Sequence, residues 1–245
     1  MGLSDPDTRP SSRWEASLST NPAEESSRNY LLASLDRAGL SAMKPHLETI
    51  RLEQDEVLFE SDSVLAHVYF PETTGISLLS TKEGRTMIAG TVGREGMVGL
   101  GVFLGQVTST LRASVHVAGV ARRMTAAAFQ RLAAAPGPLH QLVLQYTSTF
   151  LGQILETHRC TVAHTVDRRC ANWLLLTSER AQTLDLPLDM EVFARVVGVQ
   201  REAIGVSLRS LQRRGLIDYN RSRIQLLDEA GLEEVSCKCF RTFRA

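Results

Sequence analysis

The residues best equipped for chemistry in this chain lie between Arg195 and Arg223. Seven arginines stand there (Arg195, Arg201, Arg209, Arg213, Arg214, Arg221 and Arg223) against two acids, Glu202 and Asp218. The local charge is 7 − 2 = +5, in a chain whose formal net charge is zero. A guanidinium can pair in bidentate fashion with guanine O6 and N7, which suits Arg201, and Glu202 beside it can accept from a cytosine amino group. Gly205 and Val206 follow on the same face, and Val206 can touch only a thymine methyl. Arg209, Arg213, Arg221 and Arg223 suit phosphates, contacts that position a protein on a duplex without specifying sequence. The plainer reading of the same charges is a basic amphipathic helix pair that meets a protein partner.

Other reactive side chains offer less. Cys237-Lys-Cys239 provides two thiols with no matching Cys or His pair nearby in sequence, and its one-residue spacing is poor for a structural zinc. His158, Cys160 and His164 share a helix, but His158 and Cys160 diverge by about 200° around it. No ligand cluster is expected among them, and no metal. His67 and His116 read as half-buried strand residues. No nucleophile–base arrangement, phosphate loop or carboxylate pair supports an enzyme.

The elements that must position the arginines are legible around them. Asp189 is a good N-cap for a short helix with Glu191 in its first turn, where the helix dipole favours a carboxylate. Phe193, Val196 and Val197 point inward, and Ala194 permits a close crossing. Gly198 stands where a left-handed residue must end the helix. A second helix from about Gln200 to Arg214 buries Ile204, Leu208 and Leu211 and presents Arg201, Glu202, Gly205, Val206, Arg209 and Arg213 on its other side. Gly215 ends it, and Leu216–Tyr219 and Ile224–Leu227 read as a hairpin across Asn220-Arg221-Ser222-Arg223. Two helices, a glycine turn and a basic hairpin make a winged helix-turn-helix, whose second helix enters a major groove.

The rest of the chain divides by composition and period. At 245 residues, 43% hydrophobic and 22% charged, it has room for one large or two modest globular domains. Residues 1–28 are rich in Ser, Pro, Asp and Glu and read as a disordered tail. Residues 29–138 begin with one or two short helices over YLLASLDRAGLSAMKPHL. They continue as closely spaced strands at Ile50-Leu52, Val57-Phe59, His67-Phe70, Ile76-Leu79, Met87-Thr91 and Ser114-Met124. With no helices between them, such strands argue for an antiparallel roll or barrel that encloses side chains or one small ligand. An Ala-rich helix closes this unit at Pro136-Gly137-Pro138. Residues 139–164 form a long helix in which Leu144, Leu151 and His158 fall seven apart, with Thr147, Ile154 and Thr161 between them, an impure coiled-coil seam. Residues 165–245 hold a helix at Val166–Ala181 and then the winged helix-turn-helix. The fold class is therefore α+β: an N-terminal antiparallel, jelly-roll-like β-roll, a long dimerisation helix and a C-terminal winged helix-turn-helix. No apolar run reaches the length of a membrane span, the start MGLSDPDTRPSS is too polar for a signal peptide, and the cytoplasm is the expected location.

The order roll, long helix, winged helix-turn-helix resembles the Crp/Fnr family of bacterial transcription regulators. The resemblance rests most on GVQREAIGVSLRSLQRRGLI, Gly198 to Ile217, and on EGMVGL, Glu95 to Leu100, and it covers about residues 30–235. It implies a homodimer that binds a palindromic operator in double-stranded DNA, with RNA polymerase a further partner where the output is activation. It also implies a ligand site at Gly99, Leu100, Ser109, Thr110 and Arg112. Members that bind cyclic AMP carry a Glu after the cassette glycine and an Arg-Ser pair about ten residues on. Here Leu100 and Ser109-Thr110 take those places, with Arg112 the nearest substitute cation. A buried phosphate without a paired cation is costly, so cyclic AMP is not the expected effector and no cofactor is assigned. The Arg-Glu pair of the family's recognition helix matches Arg201-Glu202, whereas Val206 stands where its third base-reading Arg is usual. The rival reading is a cyclic-nucleotide or small-ligand-binding regulatory module that acts through protein partners.

Overall fold

The computed structural model describes residues 27–83, 85–237 and 239. Two short helices open it, α1 (Tyr30–Ala33) and α2 (Arg37–Met43). Asn29 and Asp36 cap them, each accepting from a backbone amide of the first turn. Of the tail expected over residues 1–28, only Ser27 and Arg28 fall within the described residues, and both are held. The Ser27 hydroxyl donates to Glu72 Oε1 at 2.8 Å and the Arg28 amide donates to the same oxygen at 3.3 Å.

The strands follow as β1 (Glu48–Leu52), β2 (Val57–Phe59), β3 (His67–Pro71), β4 (Gly75–Lys82), β5 (Arg85–Val92), β6 (Arg112–Val117) and β7 (Gly119–Thr125), with the short helix α3 (Leu100–Phe103) between β5 and β6. They form two antiparallel sheets, β1-β7-β3 and β2-β6-β4-β5. The run expected as one strand over Ser114–Met124 is two. The chain leaves one sheet at Ala118 and enters the other, so β6 pairs with β2 and β4 while β7 pairs with β1 and β3. Tyr69, Ile76, Val92, Val98, Val115 and Ala121 fill the space between the sheets. A second apolar cluster, including Leu32, Met43, Phe70, Met97 and Phe129, seats α1, α2 and the helix α4 (Ala126–Ala134) against the roll.

The long helix α5 runs Pro138–Ala163. Proline at its first position has the right φ and lacks an amide that would go unpaired there in any case. Leu139, Val143, Tyr146, Gln153 and Cys160 are its buried face, and the Tyr146 hydroxyl donates to the Met97 carbonyl at 3.1 Å, fastening helix to roll. The seam differs from the one expected. Thr147 and Ile154 are half-buried, turned toward the chain's own core. The exposed apolar stripe is Leu144, Leu151, Leu155 and Val162, with Ser148 and His158 completing a 4-3 spacing. The heptad partners of Leu144 and Leu151 are thus one residue later than Thr147, Ile154 and Thr161. None of the described helices is long and apolar enough to cross a membrane.

The C-terminal unit comprises α6 (Val166–Ala181), β8 (Asp185–Pro187), α7 (Met190–Val197), α8 (Arg201–Arg213), β9 (Ile217–Tyr219), β10 (Arg223–Leu226) and α9 (Glu229–Val235). Its core is built from Leu174, Leu186, Phe193, Ile204, Leu208, Leu211, Ile224 and Leu232, all at or near full burial. The wing has three strands rather than two, in the order β8-β10-β9.

Candidate nucleic-acid interface

Asp189 caps α7 as its sequence demands, its Oδ1 accepting from the Glu191 and Val192 amides at 2.8 and 3.1 Å. Gly198 ends the helix with φ +70°, a left-handed conformation that costs little only without a Cβ. Two residues later Gln200 stands in extended backbone at the N-cap position of α8, with no side-chain capping bond. The tight turn fixes the angle between the helices. Helix α6, whose bracing role the sequence did not reveal, holds both of them. Arg169 Nη1 donates to the Val197 carbonyl at 2.7 Å, satisfying one of the open carbonyls at the end of α7. The Ser210 hydroxyl on α8 donates to Asp167 at 3.0 Å. Beneath them the Trp173 and Phe193 rings pack with centroids 4.3 Å apart.

Around α8, at about 100° per residue, Arg201, Glu202, Gly205, Val206, Arg209 and Arg213 occupy one arc of roughly 140°. Ile204, Ser207, Leu208 and Leu211 occupy the opposite side and are buried. Arg201, Glu202, Val206, Arg209 and Arg213 are exposed, while Gly205 is half-buried with only the Arg209 guanidinium near the place a Cβ would take, at 3.4 Å. Val206, 58% exposed, is a large apolar side chain offered to solvent in the middle of a charged face. Arg201 is tied only loosely, 3.7 Å from Glu191 with both side chains more than half exposed, a contact worth little in water. At the wing tip Asn220 Oδ1 accepts from the Ser222 and Arg223 amides, holding Arg221 and Arg223 in an exposed turn. Arg223 also pairs with Asp185 of β8 at 3.1 Å. Seven of the eight residues singled out in sequence are thus exposed and Gly205 is half-buried, six of the eight standing on one arc of α8 and two on the wing.

Residues 168–235 match the family model described as a Crp-like helix-turn-helix domain. Residues 168–235 are therefore similar to Crp-type helix-turn-helix domains, on a fold like that of the Crp/Fnr regulators. Three solved structures carry the second half of that statement. FixK2 from Bradyrhizobium japonicum is 17% identical, with a TM-score of 0.65 over 78% of this chain and 98% of its own. A crp/fnr-family transcriptional regulator from Eubacterium rectale is 18% identical, with a TM-score of 0.64 over 85% and 98%. The c-di-GMP-responsive regulator CLP from Xanthomonas campestris is 18% identical, with a TM-score of 0.60 over 78% and 99%. A comparison with curated protein sequences finds no match. The family model thus assigns a helix-turn-helix to residues 168–235, and the solved structures assign the fold.

The five residues expected at a ligand site are placed as follows, with Arg112 also lining a cavity of about 200 Å³ beside Ser77, Ser114 and His116. Gly99, with φ +93°, caps α3, and Leu100 packs on the roll's apolar cluster. The Ser109 hydroxyl is spent on the backbone of Leu111, donating to its carbonyl at 2.7 Å, and Thr110 is exposed. Arg112 pairs with Glu60 at 3.6 Å. Another cavity, of about 70 Å³, lies where β5, α5, α6 and α7 meet, lined by Gly90, Phe150, Asn172, Trp173 and Val197 among others. Preformed drug-sized pockets measure about 300–1,000 Å³, so this space is too small for a nucleotide as it stands.

One expectation is overturned. Cys237 and Cys239 do have a matching pair: Cys160 and His164, four residues apart on one face at the end of α5, meet them in space. His158, which diverges from Cys160 around the helix, is not among the four. Among the two roll histidines, His116 is fully buried rather than half-buried, its Nδ1 3.0 Å from the Ser77 hydroxyl.

Proposed function

We propose that this chain is a sequence-specific, dimeric regulator that reads a palindromic operator through α8 and grips the flanking backbone through its wing. The observation that carries the reading is the face of α8. Two residues able to read base edges, Arg201 and Glu202, stand at the helix N-terminus, and Arg209 and Arg213 continue the same arc toward phosphates. Dimerisation through α5 is supported by the stripe Leu144, Leu151, Leu155 and Val162, which leaves four large apolar side chains in solvent at coiled-coil spacing. A two-fold axis along α5 would give the two recognition helices the symmetry of a palindrome. RNA polymerase is the partner if the bound regulator activates.

The roll departs from a cyclic AMP site at Leu100, Ser109 and Thr110, and its nearest cation, Arg112, makes only a loose, exposed contact with Glu60 at 3.6 Å. The chain works with a different effector or with none. The Xanthomonas neighbour, which responds to c-di-GMP, illustrates that this fold is not bound to one ligand.

Arg201→Ala tests the reading against a module that acts only through protein partners. It should weaken binding to a selected operator by about 1–3 kcal/mol and relax one base position. A variant that binds every sequence as the parent does would remove Arg201 from base recognition.

A further inference from the structure

We propose that Cys160, His164, Cys237 and Cys239 form a binding site for one tetrahedral, thiophilic divalent cation of the zinc class. The four ligand atoms lie within 4.8 Å of one another. Cys160 Sγ and Cys237 Sγ are 3.5 Å apart, and Cys239 Sγ is 3.7 Å from His164 Nδ1. With Zn–S near 2.3 Å and Zn–N near 2.0–2.1 Å, a tetrahedral ion needs ligand atoms about 3.5–3.8 Å apart. The observed spacings therefore require only small adjustments to admit an ion. A cluster of several irons, each with its own thiolate, needs a wider ring of sulfurs.

The donors are those zinc prefers, three thiols and an imidazole. All three thiols are buried and Leu176 packs against them, so water is kept from the site. Three of the chain's four cysteines converge here from segments 77 residues apart, whereas the fourth, Cys170, lies in the core of the helix-turn-helix unit. Binding would replace three S–H protons with the ion and release them to solvent, leaving roughly one net negative charge on the site. Arg159 and Glu156, ion-paired with each other at 2.6 Å, both lie beside Cys239, so their charges largely cancel at the rim of the site.

The position gives the site a consequence. His164 is the C-cap of α5 and α6 begins at Val166, so two ligands sit at the joint between the long helix and the DNA-binding unit. The other two lie just beyond α9. An ion here would clamp the joint from outside.

The test uses the full chain purified under reducing, anaerobic conditions. Elemental analysis should find about one zinc per chain. The apo chain titrated with Co(II) should develop thiolate-to-cobalt charge-transfer bands and the d–d bands of tetrahedral coordination. Cys160→Ser and Cys239→Ser should each weaken cobalt binding by about 100-fold or more, while Cys170→Ser should bind as the parent does. His164→Asn, which leaves every thiol in place, should shift the d–d bands. A folded apo chain whose thiols react as free and which takes up no cobalt would overturn the proposal. So would a Cys160–Cys237 disulfide that persists under these conditions, or a Cys160→Ser variant with the full cobalt spectrum.

Discussion

Arg180 on α6 and Glu95 in the loop after β5 form an ion pair at 2.8 Å, with side chains only 7% and 9% exposed. The pair joins the roll's EGMVGL segment to the helix that braces α7 and α8. Arg180 also hydrogen-bonds to Thr91, and the Gly93 amide donates to Glu95 at 3.1 Å. Gly93 is glycine because a Cβ there would overlap the Arg180 side chain. A change at that loop therefore has a direct path to the base of the helix-turn-helix.

That pair gives the first prediction. Removing one partner of a buried ion pair leaves the other charge unpaired, at about 3–5 kcal/mol. Glu95→Gln should loosen the packing of the C-terminal unit on the roll, so that urea unfolding splits into two transitions. Adding Arg180→Met, which removes the stranded charge but keeps apolar bulk, should restore a single transition. Parallel single transitions in all three proteins would show that the pair does not hold the units together.

The second prediction concerns association. Leu151 and Leu155 are 57% and 63% exposed on α5, and neither supports the chain's own core. Replacing both with arginine should leave the fold intact by circular dichroism and convert the chain to a monomer in sedimentation. Operator affinity should fall with it, because two half-sites are no longer bound together. A double variant that sediments as the parent does would place any dimer contact elsewhere.

The third follows from His116. Burial, reinforced by the nearby charge of Arg180, pushes its pKa from 6.5 down to about 3. The folded chain thus keeps the ring neutral where the unfolded chain protonates it. The resulting stability is complete above pH 6.5 and is lost as pH falls from there toward 3. Burial lowers His67 as well, with the same sign. His116→Gln should flatten the decline measured by urea unfolding between pH 7 and 5, by up to about 1.4 kcal/mol per pH unit. Identical slopes would mean that the ring is hydrated or paired in the folded state.

Local signals were readable in the sequence and distant ones were not. The helix-turn-helix announces itself because Asp189, Gly198 and the stripe Ile204, Leu208, Leu211 each act within a few residues. The α+β roll is legible from strand spacing for the same reason. Strand β8 is missed because three residues around a proline become a strand only by pairing with β10, some forty residues later. The break at Ala118 is invisible because both halves of the run read as strand and only the partner strands differ. Thr147 and Ile154 of α5 are half-buried because the chain's own core, not the helix's pattern, decides which face is covered. The thiol–imidazole quartet and the Glu95–Arg180 pair depend on residues brought together by the whole fold. In both cases one partner stood in plain view without the other.

The central claim is that the arginine face of α8 reads sequence. The measurement that bears on it most directly is selection of bound duplexes from a random library, with the purified chain at fixed near-physiological salt. The account predicts a palindrome with half-sites about one helical turn, roughly 34–36 Å, apart. It also predicts a position facing Val206 that favours a thymine methyl or carries little preference. Tight, salt-sensitive binding with no recovered sequence would contradict it and leave only a basic surface attracted to phosphate.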